Sequence, residues 1–235
     1  MRTKSQSLAL RPHRIIQVAS RRIELKIGIL GSGLMGAKLG TFWAKAGHDV
    51  IFSYARSEAK LKRLADGVEN GQFGSVSFAV ENSDVLLLAV HWSRIDDVLS
   101  QAGDLAGKVV VNCCVPLDLQ NRDLVVGATT SGAEHLASLR PKARWVSAFN
   151  TTPSEVFETV FANKGKGERA DVLYYGDDAG AKSVAADLIS DMGFSPCDAG
   201  ALRTARFCEP FAMITAELAY GQPGGPKLTY RFDKH

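Results

Sequence analysis

The stretch Lys26-Ile27-Gly28-Ile29-Leu30-Gly31-Ser32-Gly33-Leu34-Met35-Gly36 restricts this chain more than any other. A short apolar run ends in glycines, and a helical pattern begins at once. That order suits a strand, a tight turn and a helix whose first N–H groups stay free for an anion. Gly31 permits the turn, Gly33 leaves room for a pyrophosphate, and Gly36 lets the helix lie close to the strand. Ser32, Leu34 and Met35 complete the loop. A second apolar run, Asp49–Ser53, follows at the distance that a βαβ unit requires.

The end of that second run bears on which nucleotide fits. Sites for a nucleotide without a 2′-phosphate carry an acid here, which bonds the ribose diol. This chain reads Ser53-Tyr54-Ala55-Arg56-Ser57, with no acid before Glu58. Ser53 can donate a hydrogen bond to a 2′-phosphate, Arg56 can clamp it, and Lys60 adds charge one helical turn on. The pattern therefore predicts NADP(H) as cofactor.

Further along, apolar runs alternate with helical patterns, which predicts an α/β fold of the Rossmann type: a doubly wound parallel sheet with a small C-terminal α/β extension. The expected boundaries are a basic leader at residues 1–24, a nucleotide-binding domain at 25–155, and a small domain completing the cleft at 156–235. Val76–Phe78 reads as a short third strand and Asp84–Val90 as a buried one. Ala89, Val90, His91 and Trp92 leave the latter at the edge where ligands sit. For His91 and Trp92 the alternatives are a loop imidazole and a rim indole packed on the next helix. Asn112 ends the next strand and can bond either the cofactor or its own turn. Asn150 and Thr152 form a third polar loop at the same edge, ahead of a helix opened by Pro153.

Composition excludes several classes. The formal net charge of +3 over 235 residues is too small to argue for nucleic acid. No apolar run is long enough to span a membrane. The four cysteines include the adjacent pair Cys113 and Cys114, which lacks metal or CxxC spacing, and the histidines are scattered, so no metal is expected. Reduced thiols fit a cytoplasmic protein. The leader is basic, with no acid before Glu24. Its Arg21-Arg22 pair superficially matches a twin-arginine signal, but a glycine-turn strand follows where an apolar export segment belongs. A disordered leader is the expectation.

Other segments are more specific: Ser147-Ala148-Phe149-Asn150-Thr151, Gly176-Asp177-Asp178, Phe194-Ser195-Pro196-Cys197-Asp198-Ala199-Gly200-Ala201-Leu202, Ala205-Arg206, Glu217-Leu218-Ala219-Tyr220 and Gly225-Pro226-Lys227-Leu228. With the glycine turn and Ser53–Arg56, they make the chain resemble the NADPH:F420 oxidoreductase family from about Leu25 to Phe232. The resemblance implies a homodimer in which nicotinamide and deazaflavin lie face to face between two domains. By position, Ser32 would contact a phosphate and Arg56 the 2′-phosphate. Val90 and His91 would lie along the cofactor, and Asn150 and Thr152 would approach the nicotinamide. Leu228 would lie near the deazaflavin, with Ala212 beside it. The archaeal form of the family has Pro at the place of His91, His at that of Asn150, and a hydroxyl residue at that of Ala212. These departures bear on the second substrate, a small-molecule redox acceptor, more than on NADP. The implied activity is hydride transfer between NADPH and coenzyme F420, without a catalytic acid. Other readings are reduction of a flavin, quinone or ferric chelate, or NADP binding without catalysis.

Overall fold

The computed structural model describes residues 24–233, so the leader expected at residues 1–24 falls, apart from Glu24, outside the described residues. Strand β1 (Lys26–Leu30) leads into helix α1 (Leu34–Lys45), and β2 (Asp49–Ser53) into α2 (Glu58–Asp66). Next come β3 (Gly71–Phe73), α3 (Val76–Glu81), β4 (Val85–Leu88) and α4 (Ile95–Ala102). They are followed by β5 (Val109–Asn112), α5 (Gly132–Leu139), β6 (Arg144–Ala148) and α6 (Phe157–Ala162). The chain closes with β7 (Asp171–Gly176), α7 (Ala179–Asp191), β8 (Ser195–Asp198) and α8 (Ala205–Tyr220).

All eight strands join one sheet in the order β3-β2-β1-β4-β5-β6-β7-β8. The first six are parallel, in the doubly wound arrangement whose crevice opens between β1 and β4. β7 runs antiparallel to β6, and β8 parallel to β7. The stretch after residue 155, expected as a small C-terminal domain, thus extends the same sheet in the reversed direction.

Alternation along the strands sends side chains to two cores. Ile27, Ile29, Leu87 and Val111 pack with Leu39 and Trp43 of α1 and Leu188 of α7. Leu30, Leu86, Leu88 and Val110 pack on the other face with Val98 of α4, Leu136 of α5 and Ala205 of α8. Apolar residues at successive strand positions are what burial on both faces demands. Trp43 satisfies its indole N–H inside the first core by donating to the Leu188 carbonyl at 3.1 Å.

One strand assignment is corrected. Val76–Phe78 is not a strand but the start of α3, because the Ser75 hydroxyl accepts from the Phe78 N–H at 3.1 Å and caps a helix. The third strand is Gly71–Phe73. Gly71 lies so close to α2 that a Cβ would stand 2.4 Å from the Ala65 carbonyl oxygen.

Two polar clamps fix α8 to α5. Arg206 forks onto Glu134 through Nε at 2.8 Å and an Nη at 2.7 Å. Buried Glu209 accepts from the backbone N–H groups of Gly132 at 2.8 Å and Ala133 at 2.9 Å. These are first-turn donors of α5, which have no intrahelical acceptor. Burial pushes the Glu209 carboxyl up to about 7, against the opposing pull of the two N–H groups. A folded-state value above the unfolded one gives a contribution to stability that is complete below about pH 4.5 and lost as pH rises through about 7. Urea unfolding from about pH 5 to about pH 8 should therefore show a falling stability term in the native chain that Glu209→Gln lacks. Parallel pH profiles for the two proteins would contradict this account.

Candidate functional site

Strand register assembles the site. Leu30 pairs with Leu88 on one side and with Ser53 on the other, so the loops after β1, β4 and β2 emerge side by side. Gly31 has φ +119°, and a Cβ on it would lie 2.3 Å from the Ala89 carbonyl oxygen. A Cβ on Gly36 would lie 1.9 Å from the Gly31 oxygen. A Cβ on Gly33 would meet nothing within 4 Å. Two of these glycines thus serve packing, whereas Gly33 faces open space at the mouth of α1. No side chain caps that helix.

The open space belongs to a cleft of about 610 Å³ lined by Gly31, Ser32, Gly33, Leu34, Ala89, Val90, His91, Arg56 and Lys60. Four residues that sequence reasoning missed also line it: Tyr54, Ala55, Arg94 and Asp97. Tyr54 has φ +55°, which turns the chain sharply after β2, and its hydroxyl donates to Asp97 at 2.5 Å. Burial, then that bond to Asp97, raises the tyrosine to about 12. Arg56, Lys60 and Arg94 give the cleft three cations against one carboxylate, Asp97, which the Tyr54 hydroxyl already occupies.

Two expected cofactor contacts are committed elsewhere. Ser53 is fully buried, and its hydroxyl donates to the Ile29 carbonyl at 2.8 Å, so it does not reach the cleft. Asn112 is also buried; its Oδ1 accepts from the Cys114 N–H at 3.0 Å and its Nδ2 donates to the Ser147 hydroxyl at 3.2 Å. Its role is to cap its own turn. Ser32 lines the cleft, but its hydroxyl donates to the Ser53 carbonyl at 2.9 Å, so a ligand would meet the loop backbone there. His91 lies within hydrogen-bonding distance of Ser93 and of the Asp118 carbonyl, and Trp92 packs on His135 at the rim. Cys113 and Cys114 are buried, and burial pushes both thiols up, the latter to about 12.

A second pocket of about 210 Å³ adjoins the cleft at Leu34, which lines both. Met35, Asn150, Thr152 and Ala212 line it, together with Thr215 and Tyr220 of α8. Leu228 is half-buried in the segment after α8 and is not part of this lining. Asn150 donates through Nδ2 to the Tyr175 hydroxyl at 2.6 Å, while its Oδ1 is buried without a partner. Thr152 Oγ1 is buried and likewise lacks a bond of good geometry, although the Tyr230 hydroxyl lies beside it. A buried acceptor left unsatisfied is costly, and Asn150 Oδ1 is such an atom in a residue that lines the pocket.

No group of three or more His, Cys, Asp or Glu side chains able to hold a metal ion occurs among the described residues. No helix among them is long and apolar enough to cross a membrane.

A family model described as NADP oxidoreductase, coenzyme F420-dependent, matches residues 26–116. This segment belongs to that family. The match supports NADP(H) as the cofactor class of this segment. Metalloreductase STEAP3 of Rattus norvegicus is 33% identical over 187 residues, which make up 78% of this chain and 36% of that protein. The chain therefore spans about a third of the length of the curated relative it matches. Among solved structures, a protein of Arthrobacter sp. FB24, provisionally described as an F420-dependent NADP-reductase, superposes with a TM-score of 0.79 at 24% identity. The superposition covers 89% of this chain and 100% of that one. Hypothetical protein SMa0349 of Sinorhizobium meliloti gives 0.65 at 28% identity, covering 91% and 98%. A reductive aminase of Aspergillus terreus, solved with NADPH and ethyl levulinate, gives 0.57 at 22%, covering 83% and 62%. The first and third of these share the fold.

The glycines offer a direct test of which space is reserved. Gly33→Val should abolish NADPH binding and leave the melting temperature nearly unchanged, whereas Gly36→Ala should lower the melting temperature. Tight NADPH binding by Gly33→Val, followed by fluorescence titration, would move the pyrophosphate elsewhere. Arg56→Ala should weaken NADPH roughly tenfold or more, as for loss of a charge-assisted bond, and leave NADH almost unaffected. Equal weakening of both nucleotides would separate Arg56 from the 2′-phosphate.

Proposed function

We propose that this protein transfers a hydride between NADPH and a planar redox acceptor seated in the pocket of Met35, Asn150, Thr152 and Ala212, with coenzyme F420 as the favoured acceptor. The observation that carries the reading is that this pocket, with the unsatisfied Asn150 in its lining, adjoins the cation-lined cleft through Leu34. Bound NADPH supplies the hydride from C4 of its nicotinamide, and the work of the chain is orientation and exclusion of water. Arg56, Lys60 and Arg94 hold the 2′-phosphate end, and the free N–H groups of α1 hold the pyrophosphate. The Tyr175 hydroxyl accepts from Asn150 Nδ2 and so fixes the amide of a residue that lines the pocket.

Acid–base equipment in the pocket is weak, which favours ring-to-ring transfer over carbonyl or imine reduction. Tyr220 is the one phenol lining it, and its hydroxyl donates to Glu155 at 2.9 Å. Burial, then that bond to Glu155, pushes the phenol up to about 12, which makes it a poor proton donor. The family match supports F420 as acceptor. The likeness to a metalloreductase supports a second reading, in which a flavin or ferric chelate takes the electrons.

Loss of NADPH absorbance should be rapid and saturable with coenzyme F420 and slow with FMN, FAD or ferric citrate. Turnover with a flavin or ferric chelate but not with F420 would establish the second reading. NADPH binding without oxidation by any of them would reduce the protein to a nucleotide-binding one.

A further inference from the structure

A cavity of about 490 Å³ lies apart from both clefts and shares no lining residue with either. Two segments without regular structure form its walls: the link after α6, carrying Lys166 and Arg169, and the segment after α8, carrying Lys227, Tyr230 and Arg231. Val156, Val160 and Ala170 supply an apolar floor. The link is shaped to this end by Gly165 and Gly167, at φ +79° and +71°, backbone that other residues rarely adopt.

The charges are unbalanced. Glu168 is the one carboxylate in the lining, and it is bonded to Arg231, which also holds Asp233. Lys166, Arg169 and Lys227 form no ion pair among the described residues. The guanidinium of Arg169 reaches only the Phe194 carbonyl, at 3.5 Å. Three cations converging on one concavity repel one another and concentrate positive potential there, and an anion relieves both effects. The apolar floor and the Tyr230 ring add a requirement for a body that is not fully hydrophilic. Tyr230 is itself firmly placed. Its carbonyl accepts from the Asp171 N–H at 2.9 Å, and its hydroxyl bonds Thr151 Oγ1 at 2.5 Å.

We propose that this cavity binds a small organic polyanion, with at least two carboxylate or phosphate groups on a partly apolar body, through Lys166, Arg169 and Lys227. The site is independent of the nucleotide cleft and of the acceptor pocket. The test is calorimetric titration of the full chain, with and without saturating NADPH, using benzene-1,3,5-tricarboxylate, its neutral triamide and inorganic pyrophosphate as probes. The tricarboxylate should bind saturably with one-to-one stoichiometry whether or not NADPH is present, and the triamide should not bind. Lys166→Gln/Lys227→Gln should weaken the tricarboxylate at least roughly tenfold and leave NADPH affinity unchanged, which also reports that the variant is folded. Lys62→Gln, a lysine elsewhere on the surface, should match the native chain. Pyrophosphate binding more tightly than the tricarboxylate, with the same loss in the double variant, would assign the site to phosphates. Absence of saturable binding by either anion, equal affinity in the double variant, or competition with NADPH would overturn the proposal. A failure of NADPH to bind at all would overturn the nucleotide reading and leave this result standing.

Discussion

The contact between the Gly31 backbone and the Ala89 carbonyl is the constraint on which the rest depends. Register brings the ends of β1 and β4 together, and only a residue without Cβ fits between them. That closeness sets where α1 begins and therefore where its free N–H groups point. It also brings the loop after β2, with Arg56, to the same cleft. A fold with two apolar cores stabilises the sheet, but this one approach opens the mouth of α1 onto the cleft at the sheet edge.

The pocket of Asn150 and Ala212 depends on different forces. Its far wall is α8, and α8 is held by polar contacts to the first turn of α5 rather than by strand register. Glu209 and the Arg206–Glu134 fork work together there, and both lie within one turn of Pro210, which lacks the N–H that an intact helix would use. A buried carboxylate with two N–H donors is satisfied, and it is costly to disturb.

Much of this was legible in the sequence because the signals are local. The glycine turn, the apolar runs and the missing acid after β2 are each read within a few residues. The lining residues Arg56, Lys60, Val90, His91, Asn150 and Thr152 came from their places at strand ends. Side-chain commitments were not legible, since they depend on partners far along the chain. Ser53 and Asn112 have the right chemistry and position for a ligand, yet Ile29 and Ser147, on neighbouring strands, take up their hydrogen bonds. Arg94 and Asp97 were missed because a helix after β4 reads as covering structure; in the fold both line the cleft, where the Tyr54 hydroxyl donates to Asp97. Val76–Phe78 misled because a β-branched and an aromatic residue flank a serine, and the capping role of Ser75 outweighs that preference.

The reversal of direction at β7 has a consequence for how such a chain diversifies. Because β7 and β8 run against the other strands, the helix that follows them travels back towards the ligand edge, and its 16 residues cover roughly 24 Å. It arrives there with Ala212, Thr215 and Tyr220. The 610 Å³ cleft is written between residues 31 and 97, and the opposing wall more than a hundred residues later. Substitutions in the helix can therefore reshape that wall without touching the residues that line the cleft.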